Sequence, residues 1–338
     1  MIHFRQTPTH HPERFQMNTE SPSEAARIDE AVTRWYGNAT VRNSQRILVP
    51  RSIVEENIFP KSRQLIAEHQ IVSSLGSEAI AYVLAQSTYK YMYEIGLLET
   101  RFVIDCALKI INGEIIPAAS EETRRDAITI VIDEGYHAYV ALDFIIQLKA
   151  STGIEPLSVP QTNGNLDAVH RGYATLPAAL HPSYQLLATC LAEHTLTKDL
   201  LSIGREKEAT RAFTQVMTDH VSDEGRHATY FATQLREHWK TLDAATRERI
   251  GVFLPAYLDD YLAADLDRRF DRNVLEQLSL APRDIDIVLG DTQVQFAKNA
   301  GDYIGVTRAN LVKLLERCGV LDDTVVRRAF DAHDRAQT

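Results

Sequence analysis

The 338-residue sequence has only three cysteines, Cys106, Cys190 and Cys318, odd in number and far apart. That spacing excludes a disulfide scaffold and leads us to expect a cytoplasmic protein with free thiols. No stretch approaches the run of about 20 apolar residues that spans a bilayer, so a membrane is not expected as a partner. Met1 to Phe15 carry His and Pro without an apolar centre, which reads as no signal peptide. Positive charge is in deficit. Lys and Arg number 36 against 46 Asp and Glu, and the net charge of −10 has the wrong sign for a nucleic-acid footprint. No flavin or nicotinamide fingerprint is visible, so any redox chemistry must draw on an external electron donor. Strand signals are scarce.

Helical periodicity is what the chain has in abundance. Residues 77–111 contain no Pro and place apolar residues three and four apart, and Asn112-Gly113 gives a stop with Pro117 just beyond. A second helix is expected over 120–150, with Ser120 as N-cap and Glu121 and Glu122 in its first turn. A Pro-, Gly- and Asn-rich loop follows, from Thr152 to Gly164. Further helices are expected over 183–203, stopped by Gly204, over 207–242, and across 243–279 and 290–318. Residues 1–22, with Pro8, Pro12 and Pro22, read as a loosely ordered arm. Residues 23–338 read as a single helical domain. The fold class expected is all-α, a ferritin-like four-helix bundle core with additional N- and C-terminal helices.

Two central segments echo each other. Asp133-Glu134-Gly135-Tyr136-His137 parallels Asp223-Glu224-Gly225-Arg226-His227. Glu and His three apart share one helix face. Two such pairs facing each other, plus one Glu from each of two other helices, make a di-metal carboxylate site. The other two Glu are Glu99 and Glu193, each with apolar residues a turn away on either side. A lone helical Glu is usually solvated, but an unpaired carboxylate among apolar neighbours is costly, and a metal accounts for it better. The 46 acidic residues divide evenly between Asp and Glu, and there are 12 His. Chance would then supply roughly 0.8 Glu-x-x-His matches, but only roughly 0.06 with Asp directly before the Glu. Finding two Asp-Glu-x-x-His matches is therefore specific.

His220 lies four residues before Glu224 and seven before His227, on the same helical stripe, and reads as a third imidazole ligand. It would make one metal richer in nitrogen. Asp133 and Asp223 are candidates to accept the second N–H of the ligating imidazoles, as carboxylates commonly do. Gly135 and Gly225 occupy matching helix-interior positions, where Gly costs about 1 kcal/mol relative to Ala, and a close helix crossing would explain them. His194 points elsewhere on its helix.

These residues resemble the p-aminobenzoate N-oxygenase family, the di-iron arylamine oxygenases. The pattern here is Glu99, then Asp133-Glu134-x-x-His137, then Glu193, then His220-x-x-x-Glu224-x-x-His227. The intervals from Glu99 to Glu134 and from Glu193 to His220 match the family's, and the extra His sets that family apart. The resemblance is clear from Tyr89 to Ala232 and looser to about Asp323. It implies two Fe ions held by these seven residues, with Glu134 and Glu224 bridging. It also implies an O2-dependent monooxygenase that oxidises a small-molecule amine in antibiotic or other secondary metabolism, and a homodimer. The aminobenzoate-specific member of the family holds its substrate carboxylate with an Arg in the tail; that slot falls near Val306 here, with Arg308 out of register, which leaves the class of amine open. Three other functions compete: a di-iron oxidase acting at carbon, a ferritin-like iron-handling protein, and a helical interaction module with no metal.

Overall fold

The computed structural model describes residues 22–50, 57–263 and 268–337. The expected N-terminal arm, apart from Pro22, falls outside the described residues. In chain order the helices are α1 (Pro22–Asn38), α2 (Thr40–Asn43), α3 (Leu65–Glu68), α4 (Gln70–Ser73), α5 (Ser77–Leu98) and α6 (Ile104–Ile111). They continue as α7 (Glu121–Thr152), α8 (Gly164–Thr175), α9 (His181–Ile203), α10 (Arg211–Thr241), α11 (Ala244–Leu262), α12 (Arg268–Gln277), α13 (Pro282–Arg317) and α14 (Thr324–Gln337). No strand occurs among the described residues.

Local chemistry sets many of the boundaries. Ser120 Oγ accepts from the Thr123 backbone N–H at 3.2 Å, capping α7 as expected, and Gly153 closes that helix in the left-handed region. Some boundaries differ from the sequence reading, two of them for clear local reasons. The helix ending near residue 318 begins at Pro282 rather than 290, because Pro suits the first turn, where its missing N–H has no helical partner anyway. The segment read as a loop up to Gly164 passes into α8, whose N-cap Asn163 accepts from Leu166 at 3.0 Å.

The bundle's topology follows from where the apolar residues lie relative to the acidic ones. One buried cluster takes Val103, Cys106 and Ile110 after Glu99, Ala127 and Ile130 before Glu134, Leu186 to Cys190 before Glu193, and Phe231 and Leu235 after Glu224. The other takes Tyr89 to Ile95 before Glu99, Ala141 to Leu148 after Glu134, Leu200 and Ile203 after Glu193, and Phe213 to Met217 before Glu224. The four acidic positions therefore lie on the seam between two apolar ends. α5–α6 and α10 run one way, and α7 and α9 run the other. This is the ferritin-like arrangement, in which one long crossover, here residues 153–180, must return along the bundle to join two parallel helices.

The crossover helix is seated closely. A Cβ on Gly172 of α8 would lie 2.0 Å from Tyr184 Oη and 2.3 Å from its Cζ. Tyr184 is fully buried on α9 and donates to the Val169 carbonyl at 3.2 Å, so it has nowhere to retreat. Helix propensity alone would favour Gly172→Ala by about 1 kcal/mol. We expect the steric conflict to win, with a net loss of about 2 kcal/mol in urea denaturation.

α7 carries an apolar stripe on its outer face. Ile128, Ile132, Tyr139, Leu142 and Ile146 are exposed, at alternating four- and three-residue spacing with Gly135 in sequence between them. The matching face of α10 carries Thr218, Ser222, Gly225, Thr229 and Arg236 and is polar. The glycines themselves correct the sequence reading. Gly135 and Gly225 face outward, and a Cβ on either would meet nothing within 4 Å, so no crossing inside this chain requires them.

Candidate metal centre

All seven candidate ligands converge on the seam, each from a different turn of the four core helices. Glu99 opens a π-helical turn, Glu99–Val103, that joins α5 to α6. Such a turn inserts one residue into the α-helical register and is found mostly at functional sites. Here it directs Glu99 and Phe102 inward together. Two groups form, each with its ligand atoms within 4.8 Å of one another: Glu99, Glu134, His137 and His220, and Glu134, Glu193, Glu224 and His227. Glu134 belongs to both. Its Oε2 lies 3.1 Å from His137 Nδ1 and its Oε1 lies 3.1 Å from His227 Nδ1. Glu224 Oε1 also faces both groups, at 2.9 Å from His220 Nε2 and 3.5 Å from His227 Nδ1. His220 Nε2 stands 3.0 Å from Glu99 Oε1. All seven side chains are almost completely buried.

Apart from His137 Nδ1 and Glu134 Oε2, which share a hydrogen bond, the donor atoms are close without being hydrogen-bonded. Both oxygens of Glu99, Glu193 and Glu224, together with Glu134 Oε1, His220 Nε2 and His227 Nδ1, have no hydrogen-bond partner. Buried polar atoms are normally paired, since an orphan costs about 1–3 kcal/mol. Nine orphaned lone-pair or N–H positions in one spot have a common explanation in cations bound between them. Carboxylate and imidazole donors suit iron. The residues present thus fit two metal ions.

In the metal-free protein the same crowding displaces the titrations. Burial pushes the Glu99 carboxyl up to about 7, against the pull of His220. Burial and the neighbouring Glu224 and Glu134 hold Glu193 well above the usual carboxylate range. His220 and His227 keep their protons well above the usual imidazole range, because facing carboxylates outweigh burial. Metals bind the deprotonated forms, so loading must expel these protons. Apparent iron affinity should rise as pH increases through about 7, where Glu99 ionises. Chelator competition at several pH values checks this, with about a tenfold gain per unit expected for each proton released.

The two candidate outer carboxylates cross over. Asp223 Oδ2 accepts from His137 Nε2 at 2.9 Å, and Asp133 Oδ2 accepts from His227 Nε2 at 3.2 Å. Each Asp thus orients the imidazole of the other repeat rather than its own. Arg226 ties the two together, with Nη2 at 2.7 Å from Asp133 and 2.6 Å from Asp223. The remaining acceptor capacity is met from the N-terminal helices. Trp35 Nε1 on α1 donates to Asp133 Oδ1 at 3.0 Å, and the Thr40 backbone N–H and hydroxyl on α2 both donate to Asp223. Burial works against it, but His137, Thr40 and Arg226 hold the Asp223 carboxyl well below its ordinary value. Sequence reasoning missed Trp35, Thr40 and Arg226. Arg226 alone had a visible cue, lying inside the repeated segment.

His194 stays outside both groups. In the C-terminal tail, Val306 is exposed, and Arg308 is engaged by Asp259 at 3.1 Å and Asp334 at 2.7 Å. A cavity of about 130 Å³ lies between α7 and the segment after α2, lined by Arg46, Ile47, Tyr136, Tyr139, Val140, Asp143 and Phe144. A smaller space of about 10 Å³, with Ile47, Tyr136 and Val140 also in its lining, borders His137 and His220.

Fold and donor set together define the class: a ferritin-like helical protein with two adjoining carboxylate–histidine groups able to hold metal. A family model described as P-aminobenzoate N-oxygenase AurF matches residues 54–285, more than half of the chain, and the chain belongs to that family. It is accordingly an oxygenase. No curated protein matches it. No helix among the described residues is long and apolar enough to cross a membrane.

Proposed function

We propose that the protein holds two iron ions and uses O2 to oxidise the nitrogen of a primary amine to the hydroxylamine, nitroso or nitro level in specialised metabolism. The observation that carries this reading is the third imidazole, His220, seated at 3.0 Å from Glu99 and 2.9 Å from Glu224 within the family's match. Glu99, Glu134, His137 and His220 would hold one ion, and Glu134, Glu193, Glu224 and His227 the other, with Glu134 and Glu224 spanning both. When bound, the iron pair supplies the reductive activation of O2. The chain supplies orientation through Asp133 and Asp223 and exclusion of water through the two apolar ends of the bundle.

The Tyr136, Tyr139 and Phe144 walls and the volume of the outer cavity suit a single aromatic ring, which favours a free arylamine over an amino acid or a carrier-bound amine. Ile47, Tyr136 and Val140, which line both this cavity and the small space beside His137 and His220, would have to part for the amino group to approach. Electrons come from a separate donor in the cytoplasm. We infer further that a second copy covers the α7 stripe. Its four-three spacing is the one by which two helices pack side by side, with Gly135 permitting close approach.

The experiment is anaerobic Fe(II) reconstitution, iron analysis, and product identification after O2 is admitted with a panel of amines. About two irons per chain and an N-oxygenated arylamine are expected. A product oxygenated at carbon would replace this reading with a hydroxylase, and uptake of many irons would replace it with iron storage.

A further inference from the structure

The two outer carboxylates are symmetric toward the imidazoles and asymmetric away from them. Asp223 ends at Thr40, which offers only a backbone N–H and a hydroxyl. Asp133 ends at an indole, with Trp35 Nε1 at 3.0 Å from Oδ1 and 3.1 Å from Oδ2. From there the path continues through Asp133 Oδ2 to His227 Nε2 at 3.2 Å and across the ring to Nδ1, which faces Glu134, Glu193 and Glu224. Outward, the Trp35 ring meets the Tyr36 ring edge-on at 5.2 Å between centroids, and Tyr36 is 55% exposed. Arg42 lies over both rings. An unbroken series of aromatic ring, hydrogen bond, carboxylate, hydrogen bond and imidazole thus connects solvent directly to His227, and reaches His137 only by the longer way through Arg226 and Asp223.

The hydrogen-bond donor to Asp133 could have been any N–H or O–H, and the opposite half shows that Thr suffices. An indole adds a low-lying π system, which a hydroxyl lacks. Resting on the di-iron reading above, we propose that Trp35 is where electrons enter the centre, one at a time from an external protein carrier, passing through Asp133 to His227. Each donor molecule gives up one electron and one ferric ion becomes ferrous. Two such transfers reduce the pair, and no bond along the chain is made or broken.

The test uses the full-length protein loaded with iron and then oxidised. It is mixed without O2 with a reduced [2Fe–2S] ferredoxin, and ferredoxin reoxidation and ferrous iron are both followed. Trp35→Phe should retain the wild-type iron content and be reduced by ferredoxin roughly tenfold or more slowly. Reduction by dithionite with methyl viologen, a small mediator that needs no fixed point of access, should be unchanged. Trp239→Phe, which replaces the other tryptophan, should behave as wild type in both assays. Equal ferredoxin rates for Trp35→Phe and wild type would overturn the proposal. So would an equal slowing with ferredoxin and with viologen, which would assign Trp35 a role in orienting His227 instead. A wild-type protein that takes up no iron would sink the di-iron reading itself, before any comparison of rates.

Discussion

Replacing Glu134 with Ala should strip the protein of both irons together and lower amine oxidation on the order of a thousandfold or more. Glu134 is the one candidate ligand present in both groups, with one oxygen 3.1 Å from His137 and the other 3.1 Å from His227. Its loss removes one of the two carboxylates that raise Glu193, so a loss of iron reports a missing ligand and not added repulsion. Glu99→Ala is the informative contrast. Glu99 belongs only to the group with His220, so one iron should remain on the His227 side. Iron analysis of both variants, with helix content measured alongside, separates ligand loss from misfolding. A Glu134→Ala protein that kept one iron would show that the two halves bind independently.

The second large effect has the opposite sign. Glu193→Leu should weaken iron loading yet stabilise the metal-free protein, by about 3 kcal/mol at pH 7. Glu193 is buried with both oxygens unpartnered, and burial and two neighbouring carboxylates hold its proton far above the ordinary range. Between the ordinary carboxylate value and that raised value, the unfolded chain has already ionised while the folded chain has not, so folding is penalised. Below the ordinary value both states hold the proton and the penalty vanishes. The advantage of Leu should therefore be present at pH 7 and fade as pH falls toward 4. Urea denaturation of metal-free wild type and variant across that range reads it directly. With iron bound the order should reverse, because a ligand that binds only the folded state adds to its stability.

The donor set was legible because metal chemistry demands particular side chains on a shared face, and helical spacing announces which residues share one. Glu134 with His137, and His220 with Glu224 and His227, needed no tertiary information. The π-helical turn at Glu99 was not legible, since an inserted residue leaves no compositional mark when both flanks are good helix formers. Nor was the crossing of Asp133 to His227 and Asp223 to His137, contacts that span 94 and 86 residues. Local pattern is blind to such pairings. The glycines show the reverse error. Their matching positions suggested an internal crossing, but on α7 the position faces outward in line with exposed apolar residues. Periodicity says which residues share a face, not what that face meets.

The crossed carboxylates carry a historical consequence. If the two Asp-Glu-x-x-His segments descend from one duplicated helix pair, neither copy could afterwards drift alone. A change at Asp133 is felt by the imidazole of the other copy, and a change at Asp223 by that of the first. Arg226, present only in the second copy, holds both carboxylates at once. Each half has become part of the other's scaffold, so co-expressed but severed halves should regain iron only when they reassociate, and neither should bind it alone.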